Sequence, residues 1–322
     1  MMEQLSKDIV IGIDGGGTHT RVMAVDLNGN VLSYIEKGAS SIYKDLQAKQ
    51  NVHQAIEEAL HLSGKKVEQV HALTAGIAGL DSDSDLEWVV PLTELEGLNC
   101  RKEHVNDAVV AHSGALLTEP GIVVIAGTGS NIYAINEEGQ RIKNYDLTHY
   151  AASAARFLAY DATFELLAGN IDESDQELVR DIVKHWNVSS VEEMSQLARY
   201  GFAAAKRERD KRFAQLAPTI TAAALNNCKL AKLVCDRAIH QIAVGVEPEI
   251  KVSLIGSVVN SPYFQSSLAI RMNEGKNKKY RLIQPKFSPA AGAVLLALKQ
   301  LEIPIDEPLL RNLSHHPRSI NG

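Results

Sequence analysis

Two segments of this sequence share one pattern, in which a glycine-rich turn separates two apolar runs. The first segment is DIVIGIDGGGTHTRVMAVD (residues 8–26) and the second is GIVVIAGTGSNIYAINEEG (residues 121–139). Apolar, β-branched runs joined by tight turns are typical of antiparallel strands. Gly15-Gly-Gly-Thr18 aligns with Gly127-Thr-Gly-Ser130, and the polar turn that closes each segment aligns as well. The repeat therefore predicts two related α/β domains, each of which opens with a glycine-turned strand pair.

Outside these two segments, the spacing of apolar residues predicts mostly helices. We expect helices over residues 44–62, 83–95, 106–117, 151–168, 175–185, 191–205, 214–243 and 288–301. Further strands are predicted over residues 31–35, 70–78 and 250–255. Residues 304–322, which contain the pair His315 and His316, are predicted to form a polar tail.

The charge balance argues against a protein that binds polyanions through bulk positive charge. The 322 residues contain 33 Lys and Arg against 39 Asp and Glu, which gives a formal net charge of -6. We therefore expect no nucleic-acid partner. The first residues lack the basic and apolar regions of a signal peptide, and no apolar run approaches the ~18 residues of a membrane span. The three cysteines are widely spaced, without a CxxC pair, and this pattern fits a cytoplasmic protein.

The two glycine turns offer backbone N–H groups to an anion. Glycine lets the backbone approach a ligand closely, so that consecutive N–H groups can converge on a phosphate oxygen. The hydroxyl groups of Thr18, Thr20, Thr128 and Ser130 add donors without adding positive charge. Asp14, at the end of the first apolar run, suits a magnesium ion that is held through water molecules. The alternative, which one turn alone would favour, is a plain strand pair with a capping Asp.

Asp107 is the second candidate for chemistry. It precedes an apolar helical run, where it could interact with the helix dipole or could accept a proton from an attacking hydroxyl group. Taken alone, it fits the first of these roles better. The sequence contains no GxxxxGK[ST] loop of a Walker-type NTPase and no GxGxxG of a dinucleotide-binding fold leading into a helix. It also contains no HExxH motif of a catalytic zinc site.

Six segments stand in an order that resembles the BadF/BadG/BcrA/BcrD ATPase family, in its N-acetylglucosamine kinase branch. They are IGIDGGGTHTRVMAVD, AGIAGLD, VNDAVVA, VVIAGTGSNIYAIN, SLIGSVV and PAAGAVLLAL. The resemblance places the chain in the superfamily of sugar kinases, heat-shock chaperones and actin. It implies two ribonuclease-H-like α/β domains around a nucleotide cleft, over residues 1–118 and 119–288. A helix over residues 289–302 would complete the first domain.

The same resemblance assigns roles to individual residues. Asp14 would organise Mg²⁺, Asp107 would bind the sugar and act as the base for its hydroxyl group, and Asn131 would contact the sugar. The residues implied to face the ATP phosphates, followed by the two implied to line the adenosine pocket, are Gly16, Gly17, Thr18, Thr128 and Gly129, then Gly256 and Ser257. The implied activity is ATP-dependent phosphorylation of N-acetylglucosamine or a related amino sugar, with ATP and Mg²⁺ as cofactors. The partner is a small-molecule sugar, and a homodimer is left open.

The sequence departs from the family in the segment that grips the amino sugar. Where the family carries a glycine–tryptophan turn and a GDEGS-type segment, residues 144–157 read NYDLTHYAASAARF, and Asp146 or Asp161 could substitute. Ala78 replaces the usual hydroxyl residue of the AGIAG turn. A nucleotide-binding sensor or regulator without kinase activity is therefore the alternative function, and a scaffold that binds no nucleotide is the third. The cysteines do not match the iron–sulfur activators that share the ATPase core.

Overall fold

The computed structural model describes residues 8–127, 130–143, 153–243, 250–273 and 280–320 of the chain. The chain divides into two compact units. The first comprises Met1–Val123, Glu137–Gly139 and Gln284–Gly322, and the second comprises Val124–Asn136 and Gln140–Ile283. Each unit is built on one five-stranded sheet. None of the helices in the described ranges combines the length and the hydropathy that a bilayer span requires.

The first sheet mixes antiparallel and parallel strands. Its strands are β1 (Ile9–Gly15), β2 (Thr20–Asp26), β3 (Val31–Lys37), β4 (Val70–Ile77) and β5 (Arg101–Asn106). They lie in the order β3-β2-β1-β4-β5. β1, β2 and β3 pair antiparallel, whereas β4 runs parallel to β1 and β5 runs parallel to β4. The predicted antiparallel strands of the first segment are confirmed.

The second sheet has the order β10-β9-β6-β7-β8. Its strands are β6 (Gly121–Ala126), β7 (Ser130–Ile135), β8 (Arg141–Lys143), β9 (Ile250–Ile255) and β10 (Tyr280–Ile283). β9 and β10 are parallel, and β7 and β8 are antiparallel. β6 and β7 lie next to each other, on either side of the second glycine turn.

Twelve α-helices are described, numbered here in chain order. They are α1 (Ala48–Ser63), α2 (Leu86–Val89), α3 (Asp107–Leu116), α4 (Ala155–Leu167), α5 (Gln176–His185), α6 (Val191–Arg199), α7 (Lys206–Ala214), α8 (Ala217–Leu225), α9 (Lys229–Ala243), α10 (Pro262–Asn273), α11 (Pro289–Gln300) and α12 (Glu307–Ser314). Short 3-10 helices cover Val67–Gln69, Asp83–Asp85, Val90–Thr93, Glu173–Asp175 and Pro317–Ser319.

Alternation along β1 gives the first sheet two buried faces. Ile9, Ile11 and Ile13 pack in one core cluster that also contains the buried side of α1. Val10 points to the opposite face, where its cluster contains residues of α11 and α12. A sheet that is covered on both faces explains why every residue of β1 is buried. The first unit is therefore a three-layer α/β/α structure.

Helices α3 and α11 cross at two glycines. A Cβ atom on Gly292 of α11 would lie 2.0 Å from the carbonyl oxygen of Val110 and 2.4 Å from the amide nitrogen of Gly114, both in α3. A Cβ on Gly114 would lie 2.4 Å from the carbonyl oxygen of Ser288. These contacts are with backbone atoms, so only glycine permits the close crossing. The crossing fixes the position of α3, which begins at Asp107, against α11.

Three predictions of helices need correction. The pattern over residues 214–243 forms two main helices, α8 and α9, because Asn227 adopts a left-handed conformation with φ 64° and interrupts the helix. The predicted helix over residues 83–95 is divided into short 3-10 and α turns, with Pro91 in the first turn of one 3-10 helix. The helix predicted to reach residue 205 ends at Arg199.

The predicted polar tail is also wrong. Residues 307–314 form α12, and the side chains of Leu309, Leu310 and Leu313 are buried in the core of the first unit. Asp306 caps this helix by accepting a hydrogen bond of 3.0 Å from the amide of Leu309. The apolar face of a single short helix therefore completes one side of the first sheet.

Candidate active site

The ends of three strands bring the acidic candidates of the first unit together. β1 ends beside Asp14, the turn after β4 leads to Asp81, and β5 ends where Asp107 begins α3. Because β1, β4 and β5 are parallel neighbours, their carboxyl ends lie at the same edge of the sheet. Ligands of open α/β sheets bind at this edge.

Asp14 is a buried carboxylate that Arg21 holds in place. Asp14 is only 7% exposed. Arg21 lies opposite it in the β1–β2 register and donates a 3.0 Å hydrogen bond from Nη1 to Asp14 Oδ2. Arg21 also donates from Nε to Glu36 Oε2 at 3.1 Å. Burial raises the pKa of Asp14, and the charge of Arg21 opposes that shift. In the described part of the chain, Oδ1 of Asp14 accepts no hydrogen bond.

The first glycine turn is tied to its surroundings on both sides. The amide of Gly16 donates to the carbonyl of His19 at 2.8 Å, and the carbonyl of Gly16 accepts from the amide of Ser40 at 3.2 Å. The carbonyl of Gly15 accepts from the amide of Ala78 at 2.8 Å. Among the described residues, none accepts a hydrogen bond from the amide of Gly17. The turn is thus rigid and still keeps one backbone donor for a ligand.

Asp107 is the carboxylate whose ionisation is most perturbed at this edge. Removal from water raises its pKa to about 7, and the negative charges of Asp14 and Asp81 add to the shift. Its neighbour Asn106 caps α3 by accepting a 3.0 Å hydrogen bond from the amide of Ala108. A carboxyl group with this pKa is present in both protonation states near neutral pH, as a general base requires.

Two residues that sequence reasoning missed hold this arrangement together. Arg21 pairs with Asp14, and the signal for it was the strand register, which places Arg21 opposite Asp14. Asn106 donates from Nδ2 to Asp81 Oδ1 at 3.0 Å and to the carbonyl of Leu80 at 3.1 Å. The start of α3 is therefore joined to the turn after β4. No sequence signal showed this contact, because it links two loops that only the sheet order brings together.

In the second unit the candidates around Gly127 and Gly256 meet. A Cβ on Gly127 would lie 3.8 Å from the Cα of Gly256 and 3.9 Å from the amide nitrogen of Ser257. The carbonyl of Ala126 accepts from the amide of Val258 at 3.1 Å, and the carbonyl of Gly127 accepts from the amide of Ala155, the first residue of α4, at 2.8 Å. Two motifs that are distant in the sequence thus form one small-residue surface.

Several expected residues lie outside the described residues. They include Thr128 and Gly129 of the second glycine turn, and Asp146 in the segment that departs from the family. Among the residues that the structure describes, Oδ1 of Asn131 in β7 and Oγ of Ser153 before α4 are buried atoms that have no hydrogen-bond partner. Burial raises the pKa of Asp161 in α4. Buried polar atoms without partners are uncommon, and they mark positions where a polar ligand could bind.

Few side chains at the carboxyl edge of the first sheet could hold a metal ion. Within the described ranges, no three His, Cys, Asp or Glu side chains are placed to hold one ion together. Asp14 offers one free carboxylate oxygen beside the glycine turn. Magnesium is commonly bound by one or two carboxylates while it keeps water ligands and contacts phosphate oxygens. The residues present therefore fit magnesium bound with phosphate, and they do not form an all-protein metal cage.

A model of the BadF/BadG/BcrA/BcrD ATPase family matches residues 11–297. An N-acetylmuramic acid/N-acetylglucosamine kinase of Clostridium acetobutylicum is 25% identical over 310 residues, which cover 91% of this chain and 99% of that protein. An N-acetyl-D-glucosamine kinase of Dictyostelium discoideum is 36% identical over 150 residues, 42% of this chain and 46% of that protein.

Solved structures agree on the fold. A provisionally named N-acetylglucosamine kinase from Chromobacterium violaceum has a TM-score of 0.71 at 24% identity and covers 91% of this chain and 99% of its own. A ROK family glucokinase from Streptomyces griseus has a TM-score of 0.53 at 16% identity, with 90% and 98% coverage. At these identities the likeness establishes the fold. The prediction of a two-domain α/β fold of the ribonuclease-H-like type is confirmed.

Proposed function

Because the chain belongs to the BadF/BadG/BcrA/BcrD ATPase family, we propose that it is an ATP-dependent kinase of N-acetylglucosamine or a related amino sugar. The observation that carries this proposal is Asp107, a carboxyl group with a pKa of about 7 beside an anchored glycine turn. A proton acceptor next to backbone phosphate donors is what transfer of a phosphoryl group to a hydroxyl group requires. Both curated relatives are named as kinases of N-acetylated amino sugars.

The residues of the first unit have distinct roles in this reaction. Asp107 accepts the proton of the sugar hydroxyl group while the hydroxyl oxygen forms a bond to the terminal phosphorus of ATP. Gly16, Gly17 and Thr18 line the phosphates, and the free amide of Gly17 donates to a phosphate oxygen. Asp14, held by Arg21, would hold the ion through its free oxygen. Mg²⁺, when bound, neutralises charge on the phosphate oxygens.

The second unit supplies the remaining contacts of the proposal. Gly256 and Ser257 line the adenosine pocket, and Thr128 and Gly129 contact phosphate. Asn131 contacts the sugar, since its buried Oδ1 is free to accept a hydrogen bond from a hydroxyl or amide group. The domain limits at residues 118 and 288, the cytoplasmic location and a homodimer stay predictions.

An assay of ADP formation tests the function. The purified chain is incubated with MgATP and, separately, with N-acetylglucosamine, N-acetylmuramic acid, glucosamine and glucose. We expect ADP release that depends on an N-acetylated sugar, because Asn131 and Asp107 provide polar groups for the sugar. ATP binding by calorimetry with no sugar-dependent turnover would favour the nucleotide-binding regulator instead. Absence of ATP binding would favour the scaffold.

The fit of Gly256 against the second glycine turn predicts a loss of nucleotide affinity in Gly256→Ala. Gly256 has φ 111°, and its Cβ would lie 2.4 Å from the carbonyl oxygen of Ala126. The methyl group must push the two turns apart. The alanine must also adopt a strained backbone conformation, at a cost of roughly 1–3 kcal/mol. We expect the Kd for MgATP to rise about 10- to 100-fold in calorimetry.

Gly169→Ala is the matched control for this variant. Gly169 lies in the same unit with φ 81°, and no atom lies within 4 Å of its Cβ position. This control carries a comparable backbone strain without the collision. Equal affinities for MgATP in Gly256→Ala and Gly169→Ala would contradict the placement of Gly256 at the nucleotide.

A further inference from the structure

Lys44 lies beside the first glycine turn. A Cβ atom on Gly17 would be 3.6 Å from Lys44 Cγ and 4.0 Å from Lys44 Cε. These are ordinary van der Waals separations, so the aliphatic chain of the lysine runs past Gly17. The ammonium nitrogen is one bond beyond Cε and is therefore close to the turn.

The segment that carries Lys44 is fixed to the same turn. The amides of Lys44 and Asp45 both donate to the carbonyl of Ser41 at 2.9 Å. Ser40, one residue earlier, donates its amide to the carbonyl of Gly16 at 3.2 Å. The Lys44 backbone therefore has a defined position relative to Gly16 and Gly17. This position is set before any ligand binds, which lowers the entropy cost of using the side chain.

The charge of Lys44 has no partner in the described part of the chain. The nearest carboxylate in sequence is Asp45, which accepts hydrogen bonds from the amide of Gln47 at 3.0 Å and from Asn51 Nδ2 at 3.1 Å. Asp14, at the other side of the turn, is paired with Arg21. Lys44 is partly buried. A half-buried lysine without a carboxylate partner, whose stem packs against a glycine turn with a free backbone N–H, is suited to an anion.

We propose that Lys44 is a further catalytic residue, whose ammonium group contacts the phosphoryl group that is transferred. The inference rests on the proposed function. In the reaction, a bond forms between the sugar oxygen and the terminal phosphorus, and the bond from that phosphorus to the oxygen of ADP breaks. The electron pair leaves with ADP, and the hydroxyl proton goes to Asp107. Lys44 stays protonated throughout and balances the charge on the phosphoryl oxygens.

The first test compares nucleotide binding by Lys44→Met with that by the unaltered chain. Methionine retains the apolar stem beside Gly17 and removes the charge. We expect the Kd for the non-hydrolysable analogue AMPPNP with Mg²⁺ to rise about tenfold, and the Kd for MgADP to stay within twofold, because ADP lacks the terminal phosphate. Equal changes for both nucleotides, or no change for either, would overturn the proposal. So would a wild-type chain that binds neither. None of these results depends on sugar turnover.

The second test measures turnover with the sugar that the unaltered chain accepts. Lys44→Met should lower kcat by about 10²-fold with little change in the KM for the sugar, and Lys44→Arg should recover part of it. Lys49→Met is the control, since Lys49 is an exposed lysine of α1. Its kcat should be unaltered. Melting temperatures of all variants should agree within about 1 °C, which separates a contact with the ligand from a structural role.

Two outcomes of the second test are decisive. A kcat for Lys44→Met within twofold of the unaltered chain would show that Lys44 does not contact the phosphoryl group. A loss confined to N-acetylmuramic acid would show that Lys44 meets the carboxylate of that sugar instead. If the unaltered chain turns over no sugar, the proposed function fails, and the comparison of AMPPNP with ADP still decides the role of Lys44.

Discussion

Asp107→Asn is expected to lower kcat by roughly 10²- to 10⁴-fold while the Kd for MgATP stays within about threefold. The amide has nearly the shape of the carboxyl group and can still accept a hydrogen bond from a sugar hydroxyl. It cannot take up the proton that leaves when the oxygen attacks phosphorus. Steady-state ADP release and calorimetry measure the two quantities. Asp83→Asn is the control, because Asp83 is an exposed carboxylate in the 3-10 helix that follows the turn after β4.

The raised pKa of Asp107 makes the same substitution informative about pH. The carboxyl group titrates at about 7 in the folded chain, against 3.8 without the fold. The folded state thus holds the proton more tightly, so its stability falls as pH rises from about 4 to about 7 and is then constant. Asparagine has no such charge. The melting temperature of Asp107→Asn relative to the unaltered chain should therefore be higher at pH 8 than at pH 4, as measured by calorimetry.

The pH dependence of kcat/KM should report the ionisation of the same carboxyl group. For the unaltered chain, kcat/KM for the sugar should fall about tenfold per pH unit on the acid side of its pH profile, since only the ionised carboxylate acts as a base. A variant at Asp107 that keeps more than a tenth of the original kcat would exclude it as the base. So would a pH profile that shows no inflection between pH 5 and pH 8.

Gly292→Ala is expected to lower the melting temperature of the first unit by about 5–10 °C. The new methyl group would lie 2.0 Å from the carbonyl oxygen of Val110 and 2.4 Å from the amide nitrogen of Gly114. Backbone atoms cannot turn aside as a flexible side chain can, so α3 and α11 must separate. Overpacking of a core costs typically 1–3 kcal/mol, and each kcal/mol lowers the melting temperature by roughly 2–4 °C in a domain of this size.

Gly64→Ala provides the comparison for this variant. Gly64 ends α1 with φ 65°, and no atom lies within 4 Å of its Cβ position. An added methyl group there costs about 1 kcal/mol in backbone strain and nothing in packing. Scanning calorimetry of both variants compares the two effects. If Gly292→Ala melts no lower than Gly64→Ala, the helices do not cross as described. Gly292→Ala should also lose activity, because Asp107 begins α3.

The sequence predicts four of the five strands of the first sheet, because their signals are local, and it misses β5 (Arg101–Asn106). Alternating apolar residues and glycine turns identify β1 to β3, and they place Asp14 and the turn at the end of β1. The acidic Asp107 and the apolar run after it identify α3 to within a residue. These features depend on neighbours along the chain, which periodicity and capping rules describe.

Other features depend on contacts between distant residues. The fit of Gly114 against Gly292 requires α11 to cross α3, which lies far earlier in the chain, and no spacing rule predicts that. Leu309 and its neighbours look like part of a polar tail until the sheet face that they cover is known. That Asn131 Oδ1 and the Lys44 charge lack partners among the described residues depends on the folded surroundings in the same way. Contacts of this kind are tertiary and override local pattern.

The composition of the first unit has a consequence for how the chain is made. One face of its sheet, with Val10, Met23 and Val25, is covered by α11 and α12, which are synthesised after every strand of that sheet. The ribosome therefore releases the strands long before their cover, whereas all strands of the second sheet precede α11. During synthesis that apolar face is open to water and to chaperones until residues 289–314 emerge. The first unit to begin is thus the last to be completed.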